Sequence, residues 1–157
     1  MLKIRVIVVD RSRAPFIKAG ESFYLERLKK YVQAEWVEVK PTKIKKGRSL
    51  EEILTTEGKK ISQKLAIGDY LVTLDRSGHE HDSVSLAAWL NKLSIGVWSR
   101  VSFIIGGPLG LSREILGRSQ EVLSLSNLTL THEMSRLLLL EQLYRAFTIL
   151  SGEKYHK

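Results

Sequence analysis

The sequence predicts an α/β fold in which a mainly parallel sheet carries helices on both faces. Strand-like and helix-like segments alternate along the chain, and strands separated by helices imply right-handed crossovers and parallel pairing. The first strand-like run, residues 2–9, is rich in β-branched residues, as expected of a strand buried on both faces. At 157 residues the chain is long enough for one sizeable core. We therefore expect a single domain over residues 1–157.

The other elements are predicted from periodicity and from helix-start signals. Apolar side chains near helical spacing indicate a helix at 16–33, and a short strand follows around 36–39. Ser49 and Glu52 have the spacing of a capping box, which opens a helix across 50–65. The remaining predicted elements are, in order, a strand at 70–74, a loop at 76–82, a helix at 83–94, a strand at 101–105, a short helix after Ser112, a strand at about 121–125 and a final helix at 132–150.

Small or polar residues follow three of the predicted strands. Asp75, Gly106 and Ser126 fall just beyond the carboxyl ends, where parallel sheets bind ligands. The glycine turn at 106–110 has neither the dinucleotide-binding fingerprint nor the Gly-Lys-Ser/Thr of a P-loop. Taken alone, it is as readily an ordinary tight turn as a ligand-binding loop.

The final predicted helix is apolar nearly all round. A chain this short cannot wrap such a helix fully, so we expect part of it to form a homodimer interface. Arg136 falls in the most apolar sector, where burying a guanidinium costs several kcal/mol unless it meets an anion or serves a site. Glu141 and Arg145 are spaced to pair with each other.

The composition of the chain excludes some classes of function and favours others. The sequence has no cysteine, which excludes disulfides and thiolate catalysis, and no apolar run long enough to span a membrane. No signal-peptide pattern is seen, and we expect a cytoplasmic protein. The formal net charge of +8 favours a polyanionic partner, since cations that neutralise phosphates release counterions, over a basic surface that only keeps the protein soluble. Five cations crowd one loop, here called the basic loop: Lys40, Lys43, Lys45, Lys46 and Arg48.

No metal site is predicted. Residues 132–136 match the zinc motif H-E-x-x-H except at the last position, where Arg136 replaces the second histidine. The cluster His79-Glu80-His81-Asp82 is a weak metal signal and is more simply a solvated loop.

Taken together, the motifs of the last third resemble the ribosomal RNA large-subunit methyltransferase H family. The matching residues are Gly106-Gly107, Leu125-Ser126-Asn127-Leu128-Thr129, His132, Arg136, residues 140–146 and Tyr155-His156. The resemblance covers the full length and is densest over 101–157. In three places the sequence departs from the family pattern: Asp10-Arg11 replaces Gly-Lys, His79 replaces a lysine and Thr131 replaces a proline. Thr131 can cap the final helix instead.

The resemblance implies a SPOUT-class enzyme with a C-terminal trefoil knot, an obligate homodimer and S-adenosylmethionine held in the knot. Its implied reaction is methylation of N3 of a pseudouridine in helix 69 of 23S ribosomal RNA, in the large subunit or the assembled ribosome. By motif match, the expected cofactor contacts are Leu74, Gly106, Leu125, Ser126, Asn127, Leu128, Thr129 and Leu130.

The transfer requires that a base remove the imide proton on N3 of the acceptor base, or that the resulting anion be stabilised electrostatically. The titratable candidates are His156, Tyr155 and His132, and the candidates for positive charge are Arg136 and Arg145. The favoured hypothesis is that Tyr155 and His156 act across the dimer. Two alternatives stay open: another SPOUT-class tRNA or rRNA methyltransferase, and a non-catalytic RNA-binding protein of the same knotted fold.

Overall fold

The computed structural model describes all 157 residues and contains five strands and five helices. In chain order they are β1 (Lys3–Val9), α1 (Pro15–Leu28), β2 (Gln33–Val39), α2 (Leu50–Ser62), β3 (Asp69–Glu80), α3 (Ser83–Ser94), β4 (Arg100–Ile105), α4 (Arg113–Arg118), β5 (Glu121–Ser124) and α5 (His132–Leu150). The strands form one sheet in the order β2-β1-β4-β3-β5, and every neighbouring pair is parallel. The predicted α/β class and parallel sheet are therefore confirmed.

Side chains of β1 alternate between the two faces of the sheet, because successive residues of a strand point in opposite directions. Ile4, Val6 and Val8 join a large core under α1, α3 and α5, with α5 packed against both other helices. Ile7 and Val9 join a smaller core under α2 and α4. Both faces of the sheet are covered, as the apolar first strand predicts.

Most helix starts are set by a side-chain cap, which satisfies an amide that has no partner within the helix. Ser49 accepts a hydrogen bond from the amide of Glu52 at 3.1 Å, so the predicted cap of α2 is present. Thr131 caps α5 in the same way, through the amide of Met134 at 3.1 Å. The predicted bounds of α3 and α5 agree with the structure.

Two predicted elements differ most from the structure; in addition, β2 begins at Gln33 rather than at 36, and α2 ends at Ser62 rather than at 65. The helix expected to reach residue 33 ends at Leu28, because the amide of Gln33 already bonds to Leu2 in the sheet. The loop expected at 76–82 is mostly strand, since β3 continues to Glu80 and pairs with β5 a second time after a register shift. Gly78 allows this second pairing: a Cβ at this position would lie 2.6 Å from the carbonyl carbon of Val122.

Candidate active site

A pocket of about 690 Å³ opens at the carboxyl-end edge of the sheet. It lies between the middle of β3, the turn after β4, the loop after β5 and the starts of α1 and α5. The residues that line it include seven of the eight expected cofactor contacts: Leu74, Gly106, Leu125, Ser126, Leu128, Thr129 and Leu130. Asn127 is the exception and does not line the pocket. The volume is within the range of small-molecule sites.

The glycine turn forms one wall of this pocket. The amide of Gly110 bonds to the carbonyl of Gly107 at 3.0 Å, and Gly110 has a φ of +86°, a conformation that favours glycine. A Cβ on Gly106 would lie 2.6 Å from the carbonyl carbon of Gly110. Glycine is thus needed at position 106 by the turn itself, and not only for the approach of a ligand.

The loop after β5 is held in shape by short-range polar contacts. The Ser126 hydroxyl accepts a hydrogen bond from the amide of Leu128 at 3.0 Å, and the Ser124 hydroxyl donates to the carbonyl of Ser126 at 3.1 Å. Arg76 of β3 donates to the hydroxyl of Thr129 at 3.0 Å. These bonds arrange the loop before any ligand binds.

His132 stands on the wall of the pocket as the first residue of α5. Burial of the ring, and then the nearby charge of Arg136, lower the pKa of His132 below its ordinary value of 6.5. Each effect disfavours the charged imidazolium. The imidazole is therefore neutral at neutral pH and able to accept a proton.

Glu133, the next residue of α5, holds the loop that follows β1. Its Oε1 accepts hydrogen bonds from the amides of Arg13 at 2.7 Å and Ala14 at 3.1 Å. The start of α1 thereby comes to the pocket, where Ala14, Phe16 and Ile17 complete the lining. Phe16, which periodicity places in a helix core, is 64 % exposed in the chain. Sequence reasoning missed this wall, because it depends on a contact between segments more than a hundred residues apart.

Arg136 lies beneath the pocket and does not line it. Its side chain has no exposed surface, and its guanidinium donates to the hydroxyl of Ser12 at 2.9 Å and to the carbonyl of Val9 at 2.6 Å. Ser12 in turn donates to the buried carboxyl of Glu21 on α1. This buried network joins the end of β1, α1 and the first turns of α5, so Arg136 fixes the position of His132.

The C-terminal tail folds back on α5, away from the pocket of its own chain. The Tyr155 hydroxyl donates to Oε1 of Glu141 at 3.2 Å, and Nη1 of Arg145 lies 3.4 Å from Nδ1 of His156. Arg145 also bonds to Glu141, at 3.0 Å from its Nε. Burial raises the pKa of Tyr155. Three candidate catalytic residues are thus brought together, but none of them contacts the pocket within one chain.

The basic loop lies exposed between β2 and α2, as its composition predicts. Thr42 anchors its start: its buried amide donates to Oε2 of Glu57 at 3.1 Å, and its hydroxyl accepts from Lys60 at 3.3 Å. The cations beyond it have no acidic partner within 4.0 Å. This surface therefore offers uncompensated positive charge.

Comparison with known proteins identifies the family to which the chain belongs. The family model described as "Predicted SPOUT methyltransferase" matches residues 2–156. The chain is 38 % identical to a ribosomal RNA large subunit methyltransferase H of Halothermothrix orenii, and 40 % identical to the protein of the same name from Clostridioides difficile. Each alignment covers 99 % of this chain and 100 % of the relative.

Solved structures share the fold at low identity. A probable methylase family protein from Haemophilus influenzae matches with a TM-score of 0.59 and 15 % identity, over 98 % of this chain and 70 % of the other. A probable methyltransferase from Bordetella pertussis matches with a TM-score of 0.59 and 13 % identity, over 92 % and 94 % of the two chains.

The chain belongs to the SPOUT methyltransferase family, and its resemblance to the large-subunit methyltransferase H proteins is confirmed over its whole length. None of its helices combines the length and apolarity that a membrane crossing requires.

Proposed function

We propose that this protein uses S-adenosylmethionine to methylate N3 of a pseudouridine in helix 69 of 23S ribosomal RNA. The observation that carries the proposal is the pocket at the carboxyl-end edge of the sheet, lined by nearly all the residues that the family resemblance implies. The names of the full-length relatives support ribosomal RNA as the substrate. The net charge of +8 and the exposed basic loop are consistent with an RNA partner.

The pocket residues fit S-adenosylmethionine. Leu74, Ile105, Leu125 and Leu130 offer apolar walls for an adenine ring, and the hydroxyls and backbone of the loop after β5 offer hydrogen bonds. Asp75 adds a carboxylate for the positively charged end of the molecule. When bound, S-adenosylmethionine supplies an electrophilic methyl group on a sulfonium.

The protein's own contribution is orientation and removal of a proton. Neutral His132 accepts the N3 imide proton of the acceptor base on a ring nitrogen. Burial of the ring, and then the guanidinium charge of Arg136, keep the imidazole unprotonated, because both oppose a positive charge on the ring. We place Tyr155, His156 and Arg145 of the second subunit on the open side of the same pocket, where Arg145 stabilises the anion of the base.

The proposed assembly is a homodimer that acts in the cytoplasm on the large subunit or the assembled ribosome. Exposed apolar side chains lie along α1, along α5 and on the tail that packs against α5: Phe16, Phe23, Met134, Leu150 and Tyr155. A second copy that packs on these helices would remove them from water, as protein interfaces do. We also propose that the last third of the chain forms the trefoil knot of the family.

Two measurements test the proposal. Isothermal titration should show that S-adenosylmethionine binds at one site per chain, and absence of binding would favour the non-catalytic RNA-binding alternative. Methyl transfer should then occur on a helix 69 transcript that contains pseudouridine, and not on the uridine version or on tRNA. Transfer to tRNA alone would favour another SPOUT-class activity.

A further inference from the structure

A second cavity of about 310 Å³ adjoins the cofactor pocket. Pro108, His132 and Glu133 line both cavities, so the two cavities meet at these residues. A group at this junction can contact ligands in both cavities. His132, the proposed proton acceptor, is such a group.

The far side of the second cavity is the start of the basic loop. Pro41, Thr42 and Ile44 line it there, and Ile53 and Glu57 of α2 lie behind them. Because Glu57 and Lys60 hold Thr42 in place, this wall is fixed relative to the sheet. A polyanion that follows the lysines of the basic loop therefore passes the mouth of the cavity.

The cavity has one uncompensated cation on its third side. Arg13 pairs with Asp10 at 3.0 Å, which neutralises it. Arg11 is exposed and has no ion-pair partner. Asp10 has a φ of +68°, in the left-handed region that non-glycine residues adopt uncommonly, and this turn places Arg11 on the cavity. Two more carboxylates line the cavity, those of Glu57 and Glu133, and each accepts hydrogen bonds from backbone amides. Arg11 is therefore the cation left for an anionic group.

Apolar side chains supply the rest of the lining. Ile44 is 72 % exposed and Leu109 is 38 % exposed, and both face the cavity beside Pro108. An apolar lining beside a group that binds an anion suits a nucleotide, because the base has two apolar faces and the phosphate is charged. Enzymes that modify a base extrude it from the helix into such a pocket.

We propose that the second cavity is the subsite for the acceptor nucleotide, with Arg11 as the contact for its phosphate and Ile44 and Leu109 as contacts for its base. This inference rests on the proposed function, since it places the acceptor next to the cofactor, where the two cavities meet at His132. It assigns to residues 10–13 and 41–44 a direct part in substrate binding.

The test follows isoleucine methyl groups by NMR in the full-length protein. Ile17 and Ile105 line only the cofactor pocket, whereas Ile44 and Ile53 line only the second cavity. With S-adenosylmethionine bound, titration with pseudouridine 5′-monophosphate should shift the second pair of methyls in a saturable way. Shifts confined to the first pair, or no shift at the solubility limit of the nucleotide, would overturn the proposal.

Variants identify the phosphate contact. Arg11→Ala should weaken nucleotide binding at least fivefold, while Arg113→Ala, an exposed arginine that lines neither cavity, should leave it unchanged. Asp10→Gly keeps the left-handed turn and frees Arg13, so it should tighten binding. Equal affinities for the Arg11 and Arg113 variants would also overturn the proposal. If S-adenosylmethionine itself fails to shift Ile17 and Ile105, the proposed function fails independently of this inference.

Discussion

Replacing Arg136 by methionine tests whether this residue is a structural cation or a catalytic one. Its guanidinium is fully buried and donates to Ser12 and to the carbonyl of Val9. Removal would leave the Val9 carbonyl without this donor and the Glu21 carboxyl without its nearest cation. Breaking a buried ionic network in this way costs about 3–5 kcal/mol. With a urea m-value of about 2 kcal/mol/M, the unfolding midpoint should fall by roughly 1.5–2.5 M.

The assay is urea unfolding followed by circular dichroism at a fixed protomer concentration, because the apparent stability of the proposed dimer depends on concentration. Arg145→Met is the matched control, since Arg145 is on the same helix but forms a partly exposed pair with Glu141 that contributes about 0–1 kcal/mol. The double variant Arg136→Met with Glu21→Leu should recover most of the loss. The structural role of Arg136 is refuted if the free energy of unfolding of the Arg136→Met variant is within about 1 kcal/mol of that of the parent while the variant cannot transfer methyl groups.

The same network gives a pH dependence of known sign. Burial raises the pKa of Glu21 above its ordinary value of 4.5. As the pH rises past that value, the unfolded chain releases this proton while the folded chain retains it, so the free energy of unfolding falls until the pH passes the folded pKa. Glu21→Gln should remove this part of the dependence, and an unchanged profile would contradict the assignment.

Three further outcomes are expected. Neutralising Lys43, Lys45, Lys46 and Arg48 together should weaken RNA binding and reduce its salt slope without changing cofactor affinity, and an unchanged slope would make these cations surface charge only. Deleting residues 155–157 should abolish most turnover while leaving S-adenosylmethionine affinity nearly intact. Full turnover in this variant would show that the tail is not part of the active site. Light scattering at micromolar concentration should give a dimer, and a monodisperse monomer would exclude the shared site.

Local signals predicted much of the fold. The bounds of α3 and α5 agree with the structure, because Asp82 and Thr131 are side-chain caps that act on amides three residues away. The predicted end of α1 was wrong, because Tyr31 and Val32 continue the apolar pattern of the helix but lie in a turn from which they pack against the core. The extension of β3 was missed because Arg-Ser-Gly-His has the composition of a loop.

The residues of the candidate site were predictable where a sequence motif directly follows a strand. Gly106 and the loop after β5 follow strand ends, and both line the pocket. The buried environment of Arg136 could not be predicted from residues near it in the sequence, because its partners Ser12 and Val9 lie 124 and 127 residues away. The restriction on Gly106 also comes from folding, because the close neighbour is the backbone of Gly110.

The proposed reaction is tested by identifying the methylated nucleoside. The purified protein is incubated with S-adenosylmethionine and a helix 69 RNA that contains pseudouridine, and the RNA is digested and analysed by mass spectrometry. We expect 3-methylpseudouridine, with little product from His132→Ala and none from RNA that lacks pseudouridine. A methyl group found on ribose, on another base or on uridine-containing RNA would contradict the proposed reaction.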